Sequence, residues 1–181
     1  MLLLNVCCAP CVLPLVDKSN PEQVLYFYNP NISPKDEYAK RFEAASIVAH
    51  EFGLKLIDGV YDHEEWLAYL SGNLPNELES YPENSPRCQA CFEYRINNIA
   101  KYAKENGFDG FSTTLSVNRF KDTSYINSYS RQMADKYGIK YEEFKIDPQT
   151  AHQKGVELSK KLGLYRQRFC GCEFSQNRNT R

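Results

Sequence analysis

MLLLNVCCAPC, residues 1–11, passes from a short apolar segment directly into three thiols and a proline. Leu2 to Val6 has the length and residue types of a buried strand. Pro10 suits the opening of a helix, because the amide hydrogen it lacks would be unbonded there anyway. The same order recurs at QVLYFY, residues 23–28, a second buried-strand pattern followed by Ser33, Pro34 and Asp36 as cap, first-turn proline and first-turn acid. Tyr38, Phe42, Ala45, Val48 and Phe52 then repeat at helical spacing, one apolar face that Gly53 closes.

Farther along, LKLID at 54–58 reads as a strand and HEEWLAYL at 63–70 as a helix. Residues 71–84 carry prolines, a glycine and polar residues without periodicity and read as a long loop, a feature often kept for function. Ser85 and Pro86 start a helix with Phe92, Ile96, Ile99 and Ala103 on its buried face. A strand over 108–113, a helix over 122–137, a strand over 140–144 and a helix capped by Asp147 and Pro148 complete the alternation. Strands and helices in turn demand right-handed crossovers, so the fold expected is α/β: a Rossmann-like (HUP-like) parallel sheet of about five strands with helices on both faces. The length suits a single domain, 1–181, with a cysteine-bearing C-terminal segment from about 163 expected to fold back onto the active site.

The opening apolar run is too short, and lacks the basic start, for a secretion signal, and no later run approaches the roughly 20 residues of a membrane helix. A cytoplasmic protein without membrane partners is expected. The net charge of −1 gives no general attraction to nucleic acid or membrane. Locally the balance differs, because Arg166, Arg168, Arg178 and Arg181 face only Glu173 in the last sixteen residues.

The seven cysteines fall into three groups: Cys7, Cys8 and Cys11; Cys88 and Cys91; Cys170 and Cys172. Packing alone does not account for grouping, and an odd count in a chain of this length argues against a disulfide framework. In a parallel sheet, ligands bind beyond the carboxyl ends of the strands, which is where Cys7, Cys8 and Cys11 follow the first apolar run. Cys11 and Cys88 each fall in an expected first helical turn, where free amides depress a thiol pKa. Gly171 lets the backbone bend so that Cys170 and Cys172 point one way. Three chemistries compete. A thiol-disulfide oxidoreductase would use Cys8 and Cys11 and leave five thiols over, and structural zinc would take four thiolates. An iron-sulfur cluster would take four and leave three for a second, open metal.

The stretches VCCAPC, YNPNISPKDEYAKR, CQACFEYR, STTLSVNRFK and LYRQRFCGCEFS occur in this order along nearly the whole chain. In order and character they resemble epoxyqueuosine reductase of the cobalamin-independent, QueH type. Asn5 and Val6 stand where a histidine is frequent in that family. The resemblance implies reduction of epoxyqueuosine to queuosine at the wobble position of tRNA, with tRNA carrying epoxyqueuosine and an electron donor as partners. It also implies a [4Fe–4S] cluster beside a second, mononuclear metal, with iron the expected ion. Opening the epoxide to an alkene consumes two electrons and two protons, so a second centre beside a one-electron cluster is useful, binding the epoxide oxygen as a Lewis acid.

The shared CxxC spacing assigns Cys8, Cys11, Cys88 and Cys91 to the cluster and leaves Cys7, Cys170 and Cys172, with room for a carboxylate, to the second metal. Arg41, Arg95, Tyr165, Arg166 and Gln167 lie within the resembling stretches and are the candidates for substrate contact, arginines for phosphates and tyrosine for stacking. Tyr28 and Tyr38 read as packing residues, Asn29 and Asn31 as turn formers, and Thr113, Thr114 and Ser116 equally as caps or substrate contacts. His50, His63 and His152 read as surface residues. Neither a GxGxxG nor a phosphate-loop lysine motif is present, which argues against a nucleotide cofactor. From another functional class, a zinc-stabilised RNA-binding module without catalysis fits the same cysteines.

Overall fold

The computed structural model describes residues 1–17 and 22–175. Arg178 and Arg181 of the expected basic tail, and the end of the C-terminal segment, lie outside the described residues. Five strands form one sheet: β1 Leu2–Asn5, β2 Gln23–Phe27, β3 Lys55–Asp58, β4 Gly110–Thr113 and β5 Lys140–Tyr141. Their order is β3-β2-β1-β4-β5, and every pairing is parallel. The chain therefore reverses its direction of travel across the sheet between β1 and β4, the place where an open α/β sheet leaves a crevice.

Alternation within the central strands sends side chains to two cores. On one face Leu3, Val24, Tyr26 and Phe111 meet Phe92, Ile96, Ile99 and Ala103 of helix α4 (Pro86–Glu105) and Ile126 and Met133 of α5 (Thr123–Tyr137). On the other face Leu4, Leu25 and Phe27 meet the single-turn helix α1 (Ala9–Val12), then Ala45 and Val48 of α2 (Lys35–Phe52) and Leu158 of α6 (Pro148–Lys161). Helices on both faces explain why β1 and β2 read as nearly continuous apolar runs. A third, smaller core joins Trp66 and Leu70 of α3 (His63–Asn73) to Ala90 and Cys172.

The differences from expectation are local. Helix α2 starts one residue late: Pro34 occupies the cap position after a cis Ser33–Pro34 bond, and the amide of Ser33 donates to Gly171 O at 2.9 Å. The strand expected over 140–144 pairs only at Lys140 and Tyr141, the sheet's edge. Residues 71–84 are less of a loop than their composition suggests. Helix α3 runs on to Asn73, and Leu78 is buried while its carbonyl accepts from Arg87 Nη1 at 2.6 Å.

Candidate metal centre

Asn5 closes β1 and is completely buried. Its Nδ2 donates to the carbonyls of Tyr26 and Tyr28, both at 3.2 Å, and its Oδ1 accepts from Thr113 Oγ1 at 3.1 Å. One amide thus ties the carboxyl ends of β2, β1 and β4 together and satisfies polar groups that burial would otherwise penalise. Directly beyond it, Cys7 N donates to Thr114 Oγ1 at 3.0 Å, so the first thiol is pinned across the crevice between β1 and β4.

Cys7, Cys8 and Cys11 bring their sulfurs within 4.8 Å of one another. Cys7 Sγ lies 3.7 Å from Cys8 Sγ, and Cys8 Sγ lies 2.9 Å from Cys11 Sγ, with all three cysteines free. The division expected from CxxC spacing put Cys7 with Cys170 and Cys172. The turn into α1 instead folds Cys7 onto its own sequence neighbours, because Cys8 is the N-cap and Cys11 N returns to Cys8 O at 3.2 Å.

The other thiols gather separately. Cys172 packs with Cys91, Ala90 and Trp66, while Cys91 feels the charges of Cys88 and Cys170. Gly171 has a φ of 121°, and a Cβ there would come within 2.9 Å of Arg41 Nη1 and 3.1 Å of Ile32, so the bend between Cys170 and Cys172 requires glycine. The two groups face each other: Cys7, Cys8 and Cys170 line one narrow cavity with Arg41, Arg95, Lys121 and Gln167.

Each group has donors aimed at sulfur. Thr114 Oγ1 donates to Cys7 Sγ at 3.2 Å, Gln167 Nε2 to Cys8 Sγ at 2.8 Å, Asn118 Nδ2 to Cys11 Sγ at 3.7 Å and Lys121 Nζ to Cys170 Sγ at 2.8 Å. Hydrogen bonds favour the anionic form of the atom that accepts them. The buried indole N–H of Trp66 lacks a partner of good geometry, yet lies close enough to Cys91 to favour its thiolate.

Electrostatics single out Cys7. Hydrogen bonds from Cys11 and Cys8, followed by Thr114 and the charge of Arg95, hold its thiol well below the usual range despite burial. Cys11 is pushed well up by its contacts with Cys7 and Cys8, and by burial. The contact with Cys11 pulls Cys8 down, but Cys7 and burial outweigh it and the net direction is upward. Burial pushes Cys91 up to about 11 against the pull of Arg95, and Cys170 together with burial drives Cys172 up. The expected depression at the first helical turn is therefore absent at Cys11. A one-turn helix has little dipole to offer, and the negative sulfur next door dominates.

The five candidate substrate residues separate into two kinds. Arg41 is 3% exposed and fully engaged: Nε donates to Glu37 at 2.7 Å, Nη1 to Cys170 O at 3.0 Å and Nη2 to Phe169 O at 3.1 Å. Tyr165 OH donates to the same Glu37 at 2.6 Å. These two residues anchor the segment that carries Cys170. Arg95 is also buried, giving Nη2 to Asn29 Oδ1 at 2.6 Å, with its charge acting on both Cys7 and Cys91. Arg166 and Gln167 alone reach a roomier cavity of about 410 Å³ beside Cys11.

Asn29 serves as more than a turn former, since its Nδ2 also donates to Val6 O at 2.8 Å. His63 is not a surface residue. Its ring bonds Pro30 O at 2.6 Å, pairs with Glu173 at 3.4 Å and stacks on Tyr61. Tyr28 packs in the core as expected and also donates to Asp62 at 2.9 Å, as Tyr94 does at 2.7 Å. Lys121, Asn118 and Asp62 drew no attention in the sequence. The first two lie in or beside STTLSVNRFK, but no spacing rule tells a thiol-facing lysine from a solvated one.

The family described as epoxyqueuosine reductase QueH matches residues 2–178. The curated epoxyqueuosine reductase QueH of Histophilus somni is 37% identical over 178 residues, 96% of this chain and 71% of that protein. The protein of the same description from Haemophilus influenzae is 37% identical over 178 residues, with the same coverage, 96% and 71%. That of Thermotoga maritima is 37% identical over 173 residues, covering 96% of this chain and 88% of its own. A match running from the first strand to beyond the last cysteine pair includes every thiol of the two groups, and the chain belongs to the epoxyqueuosine reductase QueH family.

Proposed function

We propose that this protein reduces epoxyqueuosine to queuosine in the anticodon of tRNA, taking two electrons and two protons to turn the epoxide into an alkene and water. The observation that carries the reading is the gathering of Cys7, Cys8 and Cys11 at the switch point of a parallel sheet, with Cys170 on the same cavity, in a chain of this family. Three-plus-four grouping suits the implied metals: four thiolates complete a cluster, whereas three leave a metal with an open position.

Soft sulfur donors, free of disulfides and surrounded by N–H and O–H groups aimed at them, fit iron in both places. On this reading Cys88, Cys91, Cys170 and Cys172 would hold the [4Fe–4S] cluster and Cys7, Cys8 and Cys11 the second metal, together supplying single electrons and a Lewis acid for the epoxide oxygen. The division revises the one drawn from CxxC spacing.

The chain's own residues then have definite tasks. Arg95 places a permanent cation within reach of both thiol groups, offsetting the charge that seven thiolates would concentrate. Thr114, Gln167, Asn118 and Lys121 orient the sulfurs and tune their basicity. Arg41 and Tyr165, through Glu37, hold the C-terminal segment as an arm of a single domain closed over the site. No helix among the described residues is long and apolar enough to cross a membrane.

The test is anaerobic purification with iron and sulfide analysis, followed by incubation with epoxyqueuosine tRNA and a chemical reductant. Nucleoside mass spectrometry should record loss of one oxygen. A colourless zinc protein that leaves the epoxide intact would sink the reading and favour a zinc-stabilised RNA-binding module.

A further inference from the structure

Beside the thiols lies a second cavity of about 410 Å³, bounded by α1, the turn after β4, α6 and the C-terminal segment. Its volume is that of a small-molecule site, roughly 300–1,000 Å³, and suits one nucleotide rather than a duplex. Arg119, Arg166 and Arg168 line it, no carboxylate does, and none of the three is ion-paired to a described carboxylate. Three cations concentrated on one cavity of a chain with net charge −1 constitute local, not general, basicity.

The wall between the arginines is aromatic. Arg119 lies over the Phe120 ring at 4.4 Å from its centroid, and His152 meets the same ring edge-on at 5.6 Å. Arg119 is held from its other side by Gln149 at 2.8 Å. Arginine–aromatic pairs of this kind are surfaces on which unpaired bases stack, while the remaining guanidinium groups take phosphates. Burial, helped by the charges of Arg119 and Arg166, lowers the His152 pKa, so its ring is neutral near pH 7 and available for stacking. Asn118 and Gln167 line both this cavity and the narrow one holding Cys7, Cys8 and Cys170, so the two adjoin.

We infer that this cavity is a single-stranded RNA groove, which seats the nucleotide adjoining the reacting nucleoside with its base against Arg119 and Phe120 and its phosphates on Arg166 and Arg168. The inference rests on the proposed function and adds Arg119, Phe120, His152 and Arg168 to the substrate contacts.

Its test is fluorescence anisotropy of the holoenzyme with a labelled anticodon stem–loop RNA over a range of salt, alongside epoxide reduction by the same preparations. Arg119→Ala should weaken binding about tenfold or more. Arg166→Ala combined with Arg168→Ala should lower the slope of log affinity against log salt by about 1.4, two phosphates' worth on a single strand. Arg119→Lys should leave the salt slope at its wild-type value yet still weaken binding, because an ammonium keeps the charge and loses the stacking plane. All three residues are exposed, and unchanged visible absorption and circular dichroism will confirm intact protein. Unchanged affinity and slope in the variants would overturn the groove while wild-type turnover left the function standing. The groove is equally overturned if the variants bind RNA normally but accept electrons more slowly from an acidic carrier protein, which would make this a protein-docking face. Arginine-dependent RNA binding by a wild type that reduces nothing would uphold the groove and sink the function.

Discussion

Arg41 Nη1 donates to the carbonyl oxygen of Cys170 at 3.0 Å, joining residues 129 positions apart in the chain. Its Nη2 takes the Phe169 carbonyl and its guanidinium lies 5.3 Å from the Phe169 ring centroid. A planar fork meets two successive carbonyls and a ring at once, which an ammonium cannot do.

Removing that fork leaves Glu37 buried without its cation, with the Tyr165 hydroxyl still donating to it. Arg41→Ala should destabilise the protein by about 3–5 kcal/mol, the cost of breaking a buried pair. Arg41→Lys should recover part of the stability, yet hold the C-terminal thiols poorly. Chemical denaturation and iron content per chain read the two effects apart, and full iron loading in Arg41→Ala would count against an anchoring role.

The division of thiols is open to a spectroscopic check. Cys88→Ser and Cys172→Ser should each lose the broad visible absorption of the cluster, whereas Cys7→Ser should keep it while losing iron and epoxide reduction. Absorption kept in Cys172→Ser but lost in Cys8→Ser would return Cys170 and Cys172 to the second metal, as CxxC spacing alone suggests.

Gly155 is packed against the site's first helix. A Cβ there would stand 2.0 Å from Pro10 O, a backbone atom unable to step aside. Gly155→Ala should therefore cost about 3 kcal/mol or more by overpacking, and should weaken RNA binding by separating α6 from α1. Thermal melting and the anisotropy assay measure these, and a wild-type midpoint would show the helices free to part.

Asp147 caps α6, accepting from Thr150 N at 2.8 Å and Thr150 Oγ1 at 3.0 Å, and these bonds hold its carboxyl below the usual value. A carboxylate lowered on folding adds stability that is complete above the unfolded pKa, about 3.9, and is lost as pH falls through the folded value. The melting midpoint of wild type should exceed that of Asp147→Ala near neutrality. The gap should close as pH falls below the unfolded value and through the folded one. A gap that persists in acid would mean the cap acts without its charge.

Much of the architecture was written in local pattern. Leu2–Asn5 and Gln23–Phe27 are strands buried on both faces, so they had to be unbroken apolar runs, and the Asp147 cap bonds the amide its position promised. Where pattern failed, a distant contact had intervened. Ser33 lies outside α2, its amide bonded to Gly171 O far along the chain, and the strand expected over 140–144 pairs at the sheet's edge through Lys140 and Tyr141 only.

The parallel α/β fold, the family and a group of thiols after β1 able to hold a metal were all legible in the linear sequence. Periodicity, caps and thiol spacing are local properties that the chain carries before it folds. Folding alone sets Cys7 beside Cys8 and Cys11, lets Arg41 and Tyr165 hold the C-terminal segment, and places Arg119 and Phe120 on one cavity. Those are relations between residues that strand order and loop return bring together, and a side chain's partner across the sheet leaves no mark on its neighbours in sequence.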